Sequence, residues 1–212
     1  MPAEAARPPE VPLEAGIGPA NPPCPACGEP LFGWATAPDG AAVRRCEACG
    51  LGVVAGPGDE AEALRALDRL RIEADGQLGF RIANRAGLAA WIGGKGWAPI
   101  ESERGYLFTP EAVRRLVAAR DQELVRTDWR AGAGILAMWG TLLNSFTFGR
   151  NIALGAFGRA APASAQRAWQ RTLDVLISVL ATPVVLLAAA LLETGAGLAG
   201  RGGILELTLR PQ

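Results

Sequence analysis

The residues whose types and spacing can do chemistry are four cysteines. Cys24-Pro25-Ala26-Cys27-Gly28 is followed, eighteen residues after its glycine, by Cys46-Glu47-Ala48-Cys49-Gly50, and the 212-residue chain has no other cysteine. A CxxC turn lets two thiolates reach one ion, and the glycine after each pair lets the backbone fold tightly around it. Two such turns supply the four soft ligands of a tetrahedral zinc ion. A pair of disulfides is the alternative, but nothing resembling a signal peptide precedes the first pair, which favours reduced thiols and a cytoplasmic setting. Zinc ligands are therefore expected at Cys24, Cys27, Cys46 and Cys49. Four protein ligands leave the ion no open position, so this zinc is expected to be structural and to perform no reaction.

Composition narrows the remaining chemistry. Half of the residues are hydrophobic, enough for a core, and 21 basic residues balance 21 acidic ones, so whole-molecule steering towards nucleic acid or anionic lipid is not expected. Histidine is absent, which removes Ser-His and Cys-His nucleophile arrangements and the commonest general base at neutral pH. Arg44 and Arg45 with Phe32 and Trp34 are a thin footprint for nucleic acid, and none is expected as a partner.

The elements that must position the cysteines are legible around them. Leu31 to Thr36, the turn residues Pro38-Asp39-Gly40 and Ala41 to Arg45 read as a hairpin between the two pairs, and Leu51 to Val54 as an exit strand. Residues 24–54 thus form a zinc ribbon, preceded by a Pro- and Ala-rich leader over 1–23 that is expected to be disordered. Asp59 with Glu62, then Leu64, Leu67 and Leu70 at helical spacing, predict a capped helix over about 60–72, ended by Asp75-Gly76. Leu78 to Ala83 alternates as a strand with Arg81 on its wet face. A short amphipathic piece follows around Leu88, Trp91 and Ile92. Gly93 to Gly96 lacks the spacing of a phosphate loop. Thr109-Pro110-Glu111 opens a helix with Val113, Leu116 and Val117 on its buried stripe, and Glu123 to Trp129 forms a further strand.

The C-terminal third is apolar. Ala131 to Ala161 carries no period that selects one element type. From Ser164 a helix runs into Val175 to Leu192, eighteen residues without a charge and roughly 27 Å long as a helix, just short of a bilayer core. Pro183 in its middle is compatible with a broken pair of helices, buried or lying on a membrane surface; a crossing would place Arg167 and Arg171 on the cytoplasmic side. Gly203 to Arg210 alternates as a last strand.

Taken together, CxxCG and CxxCGLG over Cys24 to Gly52, the helix over Leu64 to Gly76, the strand Leu78 to Asn84, Gly93 to Trp97, the Tyr-x-Phe-Thr-Pro helix over Tyr106 to Arg115 and the terminal Gly-rich strand Gly200 to Arg210 resemble the zinc-ribbon subgroup of class I S-adenosylmethionine-dependent methyltransferases. The resemblance implies an α/β fold: an N-terminal zinc ribbon, then over 59–212 a truncated Rossmann-like half-sheet of about three strands packed with helices, including the apolar region 164–193. It implies that the last strand inserts antiparallel between Leu78–Ala83 and Glu123–Trp129. It also implies that Asn84, Arg104, Tyr106 and Thr109 would lie near a methyl acceptor. Too few residues separate Val54 from the first matched helix to hold the strand, glycine loop and acid that grip S-adenosylmethionine, so the cofactor-binding half is missing and the isolated chain is expected to be inactive. The edge of the Leu78–Ala83 strand loses its neighbour and is open to a partner chain or a local cover. Three readings follow: a zinc-binding, non-catalytic or partner-dependent remnant; an active methyltransferase with an unrecognised or shared cofactor site; and a membrane-anchored ribbon protein.

Overall fold

The structure, a computed structural model, describes residues 21–37, 40–54, 56, 58–74, 77–100, 105–156 and 167–211. Most of the leader and Arg104 lie outside the described residues. The fold is mixed α/β, with two four-stranded sheets and six α-helices.

The first sheet holds the hairpin between the two cysteine pairs and the strand that follows them. β1 (Leu31–Thr36) pairs with β2 (Ala42–Cys46), β2 with β3 (Gly52–Val54), and β3 with β6 (Tyr106–Leu107), all antiparallel. The hairpin and exit strand stand where the sequence places them. The fourth strand comes from the Tyr-x-Phe-Thr-Pro segment, far along the chain. Pro22 and Pro23, assigned to the disordered leader, are instead tied to the ribbon: Leu31 N donates to Pro22 O at 2.9 Å, and Pro23 bridges Pro30.

The second sheet has the order β4 (Arg71–Ala74), β5 (Gln77–Ala83), β8 (Ile204–Pro211), β7 (Gln122–Trp129). β8 lies antiparallel between β5 and β7, as expected. The three-strand expectation is one short. Residues 71–74, read as the end of a helix, pair with β5, and the helix α1 (Glu60–Asp68) stops at Asp68. Asp75-Gly76, read as a helix stop, lies outside the described residues. The strand edge left open in the sequence is thus covered along Leu78–Phe80 by the chain itself. All pairings in both sheets are antiparallel, so the pairings give the Rossmann-like description no support.

Helix starts follow the sequence closely. Asp59 accepts from Glu62 N at 2.6 Å to cap α1, and Thr109 accepts from Ala112 N at 3.0 Å to cap α3 (Pro110–Ala118). In α2 (Leu88–Gly93) the buried residues are Ala89 and Ala90, while Trp91 and Ile92 are exposed, the reverse of the amphipathic reading. The unassigned stretch supplies α4 (Ala131–Leu143) and α5 (Ile152–Ala156). The apolar segment is one continuous helix, α6 (Ala168–Leu198), which passes through Pro183 unbroken and runs beyond Glu193.

Two cores flank the ribbon sheet. One joins Leu31, Leu51 and Val53 to α1, α3 and the strand residues Phe80, Ile82 and Leu207. The other joins Ala37, Val43 and Val54 to Trp97, Ile100, the α4 residues Met138 and Trp139, and Ala189 of α6. Each fully buried large side chain contributes about 1.5–3 kcal/mol, so the ribbon is held by packing as well as by its own pairing.

On the wet face of the second sheet, Glu206 takes both Arg81, directly opposite in register, and Arg130, whose Nη2 lies 2.5 Å from its Oε2. Arg130, then Arg81, hold the Glu206 carboxyl below its ordinary value. Its stabilising contribution is therefore present above the unfolded glutamate value of about 4.3 and is lost as pH falls through the depressed folded value. Melting temperature followed against pH should show a shallower acid limb in Glu206→Gln than in the wild type; superimposable acid limbs would remove Glu206 as a cause.

Candidate metal centre

The two CxxC turns meet across the end of the ribbon hairpin. In the first, Gly28 N donates to Cys24 O at 2.8 Å and Gly28 adopts φ +78°; in the second, Gly50 N donates to Cys46 O at 3.0 Å and Gly50 adopts φ +77°. Both glycines thus hold the left-handed conformation that lets the chain close around an ion. At Gly50 a side chain is excluded twice, since a Cβ would also press on the Thr109 methyl group.

The sulfurs are gathered without being bonded. Cys24 Sγ lies 3.6 Å from Cys49 Sγ, Cys27 Sγ lies 3.4 Å from Cys46 Sγ, and all four sulfurs fall within 4.8 Å of one another. A disulfide needs about 2.05 Å. Four sulfurs at about 2.3 Å from a central ion form a tetrahedron with edges of roughly 3.8 Å, close to the spacings found. The four cysteines are therefore positioned to hold a metal ion, and an all-thiolate tetrahedral donor set is the one structural zinc takes. Three of the cysteines are buried and Cys27 is half-buried. The hydrogen bond with Cys24 and burial push the Cys49 thiol up, and burial pushes Cys27 up, so neither ionises readily without a cation beside it.

The site is tied to the rest of the chain by Thr109. Its hydroxyl donates to Cys49 O at 2.6 Å and accepts from Ala112 N, so one side chain clamps the second CxxC turn and caps α3. This clamp was invisible in the sequence, where Thr109 reads as a helix cap and, by the resemblance, as a residue near a methyl acceptor.

The residues that the methyltransferase resemblance gathers near an acceptor sit in separate structural roles. Asn84 is buried and bridges a turn, donating to Gly202 O at 2.9 Å and accepting from Ala86 N at 3.0 Å. Tyr106 is buried in β6, and its hydroxyl meets Glu62 Oε2 at 3.1 Å; burial and Glu62 push the phenol up. Thr109 holds the metal turn. A crevice beside Tyr106, lined by Ala66, Arg69, Leu70, Ala83 and Phe108, measures about 210 Å³, below the roughly 300–1,000 Å³ of ordinary ligand pockets. On the hairpin, Trp34 is covered by the Arg85 guanidinium, 4.3 Å from the ring centroid, so its face is already used. Burial and the charge of Arg45 push that guanidinium down to about 10.

Sequence reasoning missed two carboxylates. Asp174 and Glu193 lie fully buried on the inner side of α6. Asp174 accepts from Phe148 N at 2.8 Å and Gly149 N at 2.9 Å. Glu193 Oε1 accepts from Trp129 Nε1 at 3.0 Å and Gly203 N at 2.5 Å, while its Oε2 has no partner among the described residues; burial raises its pKa. Their spacing from Ser178 and Ala189 by helical turns was the available signal.

Elemental analysis of purified protein should give one zinc per chain, and Cys24→Ser or Cys46→Ser should abolish stoichiometric binding. Thr109→Val should retain the metal but lower stability by about 1–2 kcal/mol, the usual loss for a buried hydrogen bond and cap. Full metal loading in both cysteine variants would refute the assignment. Compared with models of protein families, with curated proteins and with solved structures, the chain matches none, and the likeness to methyltransferases has no support from them.

Proposed function

We propose that this chain is a non-catalytic zinc-ribbon protein that works attached to a membrane. The observation that carries the attachment is the inverted polarity of α6. Leu173, Leu176, Leu180, Val184, Leu187 and Leu191, spaced at three and four residues, form its exposed stripe, with Leu180, Val184 and Leu191 each about 70% exposed (70%, 73% and 68%). Its buried side carries Asp174, Ser178, Ala189, Glu193 and Ala196. A helix of a water-soluble protein turns its apolar face inward. A helix in contact with lipid keeps small and polar residues against the protein and shows hydrocarbon outward.

The non-catalytic reading rests on two features. The all-cysteine site closes its ion with four protein ligands. Asn84, Tyr106 and Thr109 spend their polar atoms on holding turns and strands.

Zinc-loaded protein mixed with phospholipid vesicles should float with them. Leu180→Glu, Leu187→Glu and Leu191→Glu together should lower that partition by about ten-fold or more while leaving the melting temperature near wild type, because the three side chains touch little of the protein. Titration of S-adenosylmethionine into the same sample should give no binding heat. Wild-type protein that stays with the aqueous fraction defeats the attachment, and micromolar cofactor binding defeats the non-catalytic reading.

A further inference from the structure

We infer that α6 lies in the plane of one leaflet without crossing it, and that the leaflet it fits is anionic. This rests on the attachment proposed above and fixes its geometry and lipid class. By length and hydropathy alone α6 can cross a bilayer: it has 31 residues, roughly 46 Å, with an apolar window of mean hydropathy 2.7. The packing of its inner side argues otherwise.

A crossing helix needs its two ends on opposite sides of a hydrocarbon layer about 30 Å thick, with its middle in that layer. In α6 the middle is lodged against the body. Ala181, Val185 and Ala189 pack into the core that contains Val43 and Val54 of the ribbon and Trp97. A bilayer centred on Val184 would therefore have to engulf the ribbon sheet, whose backbone edges and charges have no place in hydrocarbon. Both ends are tied to that same body. Asp174 holds the backbone of Phe148 and Gly149 near one end; close by, Arg150 Nη1 donates to Thr36 O of the ribbon hairpin at 2.6 Å. Glu193 holds Trp129 and Gly203 of the second sheet near the other. These two anchors are nineteen residues apart, roughly 28 Å along the helix. Only the outer stripe is left for lipid, and it runs the length of the helix, which is the geometry of an interfacial amphipathic helix with its axis parallel to the membrane.

The N-terminal end carries the aromatic residues that favour a membrane interface. Phe148 and Trp169 meet edge to face at 5.9 Å, and both are more than half exposed, as is Phe146.

Charge selects the leaflet. Residues 130–202 contain Arg130, Arg150, Arg159, Arg167, Arg171 and Arg201, no lysine, and only two acids, Asp174 and Glu193, both fully buried. Among the described residues of this segment the exposed charged side chains are thus all arginines, of which Arg130 is paired with Glu206, while the rest of a chain of zero formal charge is net acidic. Arg167 and Arg171 flank one end of α6 and Arg201 follows the other, all exposed and none in the apolar stripe. Arg171 lies seven residues before the buried Ser178, on the side of the helix turned away from the stripe, from which a long side chain reaches up to lipid phosphates.

The test uses full-length, zinc-loaded protein with a spin-labelled non-natural residue placed singly at 173, 180, 187 or 191, on vesicles of phosphatidylcholine with and without phosphatidylglycerol. Depth is read from relaxation by oxygen against a water-soluble nickel chelate. An in-plane helix gives four similar depths, about 5–10 Å below the headgroups. Depths that peak at 180 and 187 and fall towards 173 and 191 mean a crossing helix and overturn the orientation while sparing attachment. Labels that contact no lipid on either vesicle overturn attachment itself. Phosphatidylglycerol should tighten binding, and Arg167→Gln, Arg171→Gln and Arg201→Gln together should weaken it about 100-fold on the anionic vesicles, about five-fold per arginine, with little change on phosphatidylcholine alone. Equal binding to the two vesicle types, or an unaffected triple variant, overturns the anionic assignment.

Discussion

The arrangement of this molecule depends on two buried carboxylates on one helix. Asp174 and Glu193 decide which side of α6 faces the protein, because each needs hydrogen-bond donors that only the body supplies. With those two side chains inward, the leucines and valines of the opposite side have nowhere to go but out. The close fit around Glu193 reinforces the choice. A Cβ at Gly134 would collide with its carboxylate, and one at Gly197 or Gly202 with the Trp129 ring that donates to it. Three glycines are thus fixed by a single buried acid and its tryptophan. Burial raises the pKa of the Glu193 carboxyl, and the donors Gly203 N and Trp129 Nε1 act against that shift.

The sheet that follows from the cysteine hairpin lies between the two cores. It is packed on both faces, by α1, α3 and the second sheet on one side and by α2, α4 and α6 on the other. The metal turns are therefore connected to distant parts of the chain: Thr109 links Cys49 to α3, and β6 adds its strand beside β3. A metal bound by the four cysteines would stabilise the strand ends on which both cores rest, so its folding contribution would be felt well beyond residues 24–54.

What the sequence revealed depended on how local the cause was. The metal cluster, the hairpin, the caps at Asp59 and Thr109 and the alternating strands at Leu78, Glu123 and Ile204 were all legible, since each is set by neighbouring residues. Strand β4 was not, because Leu64, Leu67 and Leu70 continue a helical period into it and Asp75-Gly76 serves equally well as helix stop and hairpin turn. Trp91 misled because its exposure depends on Ala89 and Ala90 offering the closer approach to the helices beside them. The polarity of α6 was also hidden, since hydropathy records that residues 175–192 are apolar without saying which side the body will take.

Pro183 shows how α6 accommodates a residue that the sequence reads as a break. A proline within a helix cannot donate to the carbonyl four residues before it, here that of Val179, and normally kinks or breaks the helix. Pro183 and Val179 both lie on the exposed side, and the adjacent Thr182 hydroxyl donates to Ser178 O at 2.6 Å. The proline thus sits opposite the buried anchors Asp174 and Glu193, on the side where the helix packs least on the body, and α6 runs through it unbroken.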